Sequence, residues 1–222
     1  MIKSLFKKVK DCTLPSSKMS EGDLKQVWQN YIDGTVGKGL YYLYQDAIKE
    51  HFSDSKTGLR ALSLGSGAGN EEVDLIKADW EVTAIDRQQR SYEVISERIK
   101  TSQNLFHFQL GDFSEIAMNG TYDLVLALFS LPFGRKEELI NMILRLAKHT
   151  RYGSLVVANF FGSEHSFVEK SMAYAVNITE LTELFSQSGF KISYNLNRKF
   201  KQLDFSGNKT NWDLIDIIAV RN

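Results

Sequence analysis

The chain has 222 residues, 43% of them hydrophobic and 24% charged, and its 27 basic and 27 acidic side chains balance to zero net charge. A neutral chain is a poor general binder of nucleic acid, which relies on neutralised phosphates, and no apolar run reaches the ~20 residues of a membrane span. A lone cysteine, Cys12, excludes an internal disulfide and points to a reducing, cytoplasmic setting, while four scattered histidines lack the spacing of a metal site, so no metal is expected.

The opening MIKSLFKKVK places Ile2, Leu5, Phe6 and Val9 on one helical face with lysines around it, and no apolar core of signal-peptide length follows. The pattern predicts a basic leader helix within residues 1–20 ahead of a single domain at 21–222. A helix docked on the domain, a lid or partner-binding helix, and an attachment to an anionic membrane surface all satisfy it. Residues 24–52 carry Leu24, Val27, Trp28 and Tyr31 at helical spacing, but Gly34, Gly37 and Gly39 interrupt them, which predicts two helices with a bend.

From residue 59 the pattern alternates. LRALSL reads as a buried strand ending in glycines, Asn70–Ala78 as a helix, EVTAID as a strand and Gln88–Lys100 as a helix. LFHFQL, the very apolar YDLVLALFS and GSLVVANFF read as three further strands; the helix Lys136–His149 separates the last two. ITELTELFSQSGF is a helix stopped by Gly189. KISYNL and WDLIDIIAV then follow with no helix between them, joined by the polar segment NRKFKQLDFSGNKTN. The repeated alternation predicts an α/β fold: a doubly wound, Rossmann-like, seven-stranded and mostly parallel sheet with an antiparallel C-terminal hairpin at or near its edge.

In such a sheet ligands sit beyond the carboxyl ends of the strands near the switch point. LSLGSGAGN occupies that place, with Gly65, Ser66, Gly67 and Gly69 between the first strand and its helix. Glycine lets a ligand approach the backbone, and the helix amino end offers free N–H groups. The spacing is G-x-G-x-G, with Asn70 where the dinucleotide fingerprint continues to a later glycine. Asp86 closes the second strand, 21 residues past Gly65, where a carboxylate can accept two ribose hydroxyls. Asp112, in LGDF after the third strand, can accept from an adenine amino group, with the N–H of Phe113 reaching a ring nitrogen. The first two anchors serve either a nicotinamide or an S-adenosylmethionine site; the third favours the latter.

This order of parts resembles the class I S-adenosylmethionine-dependent methyltransferases over residues 28–221. YDLVLALFSLPF, NFFGSEHSF and NWDLIDIIAVR further resemble the small methyltransferases of the tellurite-resistance type. The resemblance implies a methyltransferase that takes S-adenosylmethionine as cofactor and transfers its methyl group in line to a small-molecule acceptor. Arg87 and Leu128 join the cofactor contacts on this basis, and Phe129, Pro132, Phe133 and His165 would line the acceptor pocket. His165 would act there as base or orienting group, or else lie in a solvated loop. Tyr31, Tyr41 and Tyr42 either close the cleft or belong to the core. One departure concerns Ser63, where the superfamily usually carries an acidic residue that helps hold the cofactor's amino group; Ser63→Asp is expected to tighten binding. Asn211 and Asp213 also stand where histidines are common in the relatives. A catalytically silent cofactor-binding fold, a nicotinamide-dependent oxidoreductase and, with less support from the charge balance, a nucleic-acid methyltransferase are the alternatives.

Overall fold

A computed structural model of the chain describes residues 21–53, 57–204 and 207–222. The leader expected within residues 1–20, with Cys12, lies outside the described residues. Helices α1 (Glu21–Thr35) and α2 (Tyr42–His51) flank the glycine-containing bend that the sequence predicts. The strands are β1 (Arg60–Leu64), β2 (Glu81–Asp86), β3 (Phe106–Leu110), β4 (Tyr122–Ala127), β5 (Thr150–Phe161), β6 (Phe190–Leu203) and β7 (Lys209–Arg221). Between them run α3 (Asn70–Lys77), α4 (Gln89–Arg98), α5 (Lys136–Lys148), the single turn α6 (Ser166–Glu169) and α7 (Ile178–Gln187).

The seven strands form one sheet in the order β3-β2-β1-β4-β5-β7-β6. The first five in sequence pair in parallel, and β7 runs antiparallel to both β5 and β6. Helices cover both faces, so β4 is buried at every position, which is why it reads as an unbroken apolar run. Leu139, Ile143, Leu146, Leu181 and Phe185 of α5 and α7 pack on one face; Leu43, Ala47, Val73, Ile76 and Ile95 of α2, α3 and α4 pack on the other. The chain winds outward from β1 to β3 and then crosses to β4, so the switch point lies between β1 and β4. Among the described residues no helix is long and apolar enough to cross a membrane.

The hairpin departs from the expected length. The polar segment read as its connection is largely strand: β6 continues to Leu203, opposite Lys209 of β7. An edge strand keeps one side in water, so polar residues extend it without penalty, and its lysines discourage pairing with other chains. Phe200 and Trp212 stand opposite each other in this extension and stack at 6.1 Å with planes 9° apart.

The glycine turn depends on its third glycine for more than chain direction. Gly69 has φ +67°, and a Cβ there would fall 2.1 Å from Cγ1 of Ile95, which is fully buried. A Cβ on Gly67 (φ +53°) would instead meet Tyr31 at 3.5 Å, an ordinary contact. Urea denaturation should show Gly69→Ala losing about 2–3 kcal/mol, from left-handed backbone strain and overpacking together. Gly67→Ala should lose about 1 kcal/mol, since it meets only the strain.

Candidate functional site

The turn after β1 is braced from three directions. Gly65 N–H donates to Ile85 O at 2.8 Å and Gly69 N–H to Ser66 O at 2.9 Å. Asp86 accepts Gly67 N–H through Oδ2 and Gln88 N–H through Oδ1, both at 2.8 Å, so one carboxylate ties the end of β2 to the turn. Burial lifts the Asp86 pKa above the usual carboxylate value, and these two N–H groups restrain the rise. Arg98 donates to Ala68 O at 2.7 Å and to Asn70 Oδ1 at 2.9 Å. The same Asn70 oxygen accepts Gly37 N–H, while its Nδ2 donates to Thr35 O. Glu71 accepts Tyr41 N–H at 2.8 Å. Asn70 and Glu71 thus fasten the α1–α2 linker across the turn, a role that accounts for an asparagine where a dinucleotide fingerprint would continue.

A cavity of about 670 Å³ lies beneath that linker, at the carboxyl ends of β1, β2 and β4. Of the residues expected from the sequence, Gly65, Ser66, Gly67, Asp86, Arg87, Phe113, Leu128, Phe129 and Phe133 line it. Asp112 does not: it forms an ion pair with Arg87 and accepts Ser114 N–H at 2.9 Å, beside the cavity. Partial burial works to raise its pKa, but Ser114 and Arg87 outweigh it and hold the carboxyl below its usual range. Pro132 does not line it either: it is buried in a short 3-10 turn, its carbonyl accepting Tyr174 N–H.

His165 is in neither of the places expected of it. It is fully buried, outside the cavity lining, stacked on Phe161 at 3.8 Å and boxed by Phe167 and Trp212. Its Nδ1 accepts Phe167 N–H at 3.1 Å and so caps α6. The aromatic box excludes water, and desolvation pulls the imidazole pKa down to about 4, against a weaker upward pull from Asp213. The folded protein therefore binds this proton later than the unfolded chain, and stability from this group is full above pH 6.5 and lost as pH falls toward 4. Melting temperatures across that window should fall less steeply for His165→Phe than for the parent chain; parallel curves would refute the neutral, buried assignment.

Several site residues were not singled out from the sequence. Asn159, fully buried on β5, accepts the N–H of Phe129 at 2.6 Å and holds that residue at φ +51°, a conformation a phenylalanine rarely adopts. Asp216, directly opposite on β7, is fully buried and accepts from Tyr41 OH (2.8 Å), Tyr42 OH (2.5 Å) and Arg198 (2.7 Å). Tyr41 then packs edge-on against Phe129 at 5.2 Å. Both tyrosines line the cavity, with Trp28 and Met172. The signal for this group is a polar residue inside an otherwise apolar strand, Asn159 in VVANFF and Asp216 in DLIDIIAV. Glu72, also in the lining, carries no such signal because it sits in a polar helix start.

Ser66 Oγ, Gln88 Oε1 and Ser130 Oγ are buried, line the cavity and have no hydrogen-bond partner among the described residues. Buried polar atoms without partners cost stability, so their convergence on one cavity fits a polar ligand such as a nucleoside.

The sequence matches the family model described as "Tellurite resistance protein TehB" over residues 47–217. No curated protein matches it. Among solved structures, it is similar to TehB from Haemophilus influenzae, at 18% identity and TM-score 0.68 over 88% of this chain and 67% of that one. It is also similar to magnesium protoporphyrin IX methyltransferase from Synechocystis PCC 6803 with bound SAH, at 16% identity and TM-score 0.66 over 89% and 94%. The 1,6-didemethyltoxoflavin-N1-methyltransferase of Burkholderia thailandensis, with bound 1,6-didemethyltoxoflavin and S-adenosylhomocysteine, gives 14% identity and TM-score 0.66 over 97% and 93%. With the family match spanning most of the fold, from α2 into β7, the chain belongs to the tellurite resistance protein TehB family.

Proposed function

We propose that the protein binds S-adenosylmethionine in this cavity and transfers its methyl group to a small molecule held over the carboxyl end of β4. The observation that carries the reading is Asp86, a buried carboxylate that both pins the glycine turn and lines the same cavity. Each of its oxygens has one N–H partner and lone-pair capacity left for the ribose hydroxyls. Phe113 and Leu128 would flank the adenine. Asp112 would reach the adenine amino group by sharing its carboxylate with Arg87. Solved relatives whose descriptions name bound SAM or SAH support the same choice.

The sulfonium methyl of the cofactor is already electrophilic, so this chain's task is to position the acceptor and keep water out. Positioning of this kind supplies roughly 7–11 kcal/mol of barrier reduction. Trp28, Tyr31, Tyr41, Phe129 and Phe133 form the aromatic wall that would do so. The Tyr31 hydroxyl is pushed up to about 12, by burial first and then by Glu71, Asp86 and Glu72, so at neutral pH it is a donor and not a base. A cavity of about 670 Å³ is of the size that holds small molecules, which favours a small acceptor over a macromolecule.

Calorimetry with S-adenosylmethionine, S-adenosylhomocysteine and NAD tests the cofactor. Saturable binding of the first two without NAD is expected. Binding of NAD alone would replace this reading with an oxidoreductase. Binding of S-adenosylmethionine with no transfer to any of a broad set of thiol, amine, hydroxyl and chalcogen-oxyanion acceptors would leave a silent binding fold.

A further inference from the structure

Asn70, Glu71 and Glu72 open α3 side by side, but they are used differently. The side-chain oxygen of Asn70 and an oxygen of Glu71 hold the α1–α2 linker. Glu72 turns inward. It is only 3% exposed, lines the cavity, and its Oε2 has no hydrogen-bond partner among the described residues. Its helix position sets it against Ser63 at the end of β1, whose hydroxyl favours its charged form. A carboxylate this deeply buried is costly without a counter-charge. Arg98 contributes positive potential nearby, but its hydrogen bonds go to Ala68 and Asn70.

We infer that Glu72 is the anionic seat for a ligand ammonium group at the β1 end of the cavity, and that on the methyltransferase reading this group is the α-ammonium of S-adenosylmethionine. The assignment rests on that reading for the ligand's name. It uses a carboxylate from the helix where Ser63 supplies none from the strand. Burial, and then repulsion from Glu71 and Asp86, pushes the Glu72 carboxyl up to about 8, opposed by Ser63. The other titratable groups facing it are Tyr31 from α1, Tyr44 from α2 and Arg98 at the end of α4. An arriving cation favours the ionised form, so binding releases a proton near neutral pH. The Ser63→Asp substitution expected from the sequence to tighten binding would then crowd two carboxylates together and weaken it.

Two probes separate this assignment from the cofactor reading. S-adenosylhomocysteine carries the ammonium; 5′-methylthioadenosine keeps the nucleoside and lacks it. Glu72→Gln, isosteric and uncharged, should weaken S-adenosylhomocysteine at least tenfold, leave 5′-methylthioadenosine within about twofold, and abolish the proton release read by calorimetry in buffers of different ionisation enthalpy. Glu71→Gln should not abolish that release. Equal S-adenosylhomocysteine affinity in parent and Glu72→Gln overturns the assignment while leaving the cofactor reading standing; failure of the parent chain to bind either probe overturns both. Should Glu72→Gln not fold, the parent chain decides: its preference for S-adenosylhomocysteine over 5′-methylthioadenosine rises from pH 6 toward pH 8, and a flat profile refutes the inference.

Discussion

Replacing Asp86 by alanine should lower the affinity for S-adenosylhomocysteine by about 100-fold or more. Hydrogen bonds to a charged acceptor contribute about 1.5–3 kcal/mol each, and the ribose would lose two of them. The variant also frees Gly67 N–H and Gln88 N–H, which Asp86 holds at 2.8 Å, so the turn itself loosens. Asp86→Asn separates these effects. It keeps one acceptor oxygen, so one of the two backbone N–H groups loses its partner, and it removes the charge; binding should weaken about tenfold or more, at least the ~1.4 kcal/mol expected for losing part of the charge assistance. Its stability supplies the control. Burial raises the Asp86 pKa in the folded state, so this group favours folding at acid pH and that contribution is lost as pH rises through the folded pKa. At neutral pH the buried charge is a burden, and its removal offsets the turn hydrogen bond that Asp86→Asn loses, so the variant should melt close to the parent. Weak binding in a fully folded Asp86→Asn would then report the site and not the fold; unchanged binding in either variant would remove the ribose assignment.

The sheet was legible because both of its constraints are periodic. Parallel strands buried on two faces give short apolar runs, amphipathic helices give a 3.6-residue repeat, and the two alternate five times before the terminal hairpin. The length of that hairpin was not legible, since Arg198, Lys199, Lys201 and Gln202 make its extension mostly polar, for the reason that an edge strand is half in water. The β1–β2 end of the cavity was legible in the glycines and in Asp86, whose spacing is set by the length of one strand, one helix and the next strand. The aromatic end was legible only in Phe129 and Phe133. His165 sits in a polar stretch, GSEHS, and nothing local reveals that the chain folds back so that Phe161 and Phe167, with Trp212 from a distant strand, close over it. Glu72 was hidden by the same kind of context: it looks like one more acidic residue in the first turn of a helix, where negative charge is ordinary. Only the packing of α3 against the sheet turns it inward, toward Ser63.

Asp216→Ala should produce the largest loss of stability of any substitution considered, about 3–5 kcal/mol, the range for breaking a buried ion pair by removing one partner. The carboxylate is fully buried and collects the Tyr41 and Tyr42 hydroxyls and the Arg198 guanidinium. Its removal leaves Arg198 with the Tyr41 hydroxyl, to which it donates at 2.6 Å, and leaves Tyr42 without its acceptor. The consequences extend past folding because the cluster is a bridge. Asp216 stands opposite Asn159, Asn159 fixes the strained Phe129, and Tyr41 packs on the Phe129 ring while its own backbone N–H is held by Glu71. The C-terminal hairpin thus reaches through one carboxylate to the aromatic wall and, by the linker, to the glycine turn. Assayed well below its melting temperature, Asp216→Asn should raise KM for the acceptor more than it weakens S-adenosylhomocysteine, since Asp86 and the turn are untouched. The tyrosines supply a readout independent of turnover. Burial and Asp216 together push both hydroxyl pKa values above the ordinary range, so in the variant Tyr41 and Tyr42 should ionise at lower pH in a spectrophotometric titration. If the tyrosine titration is unchanged in Asp216→Asn and the acceptor KM does not move, the hairpin serves only to close the sheet, and the acceptor wall is positioned by α1 and the linker alone.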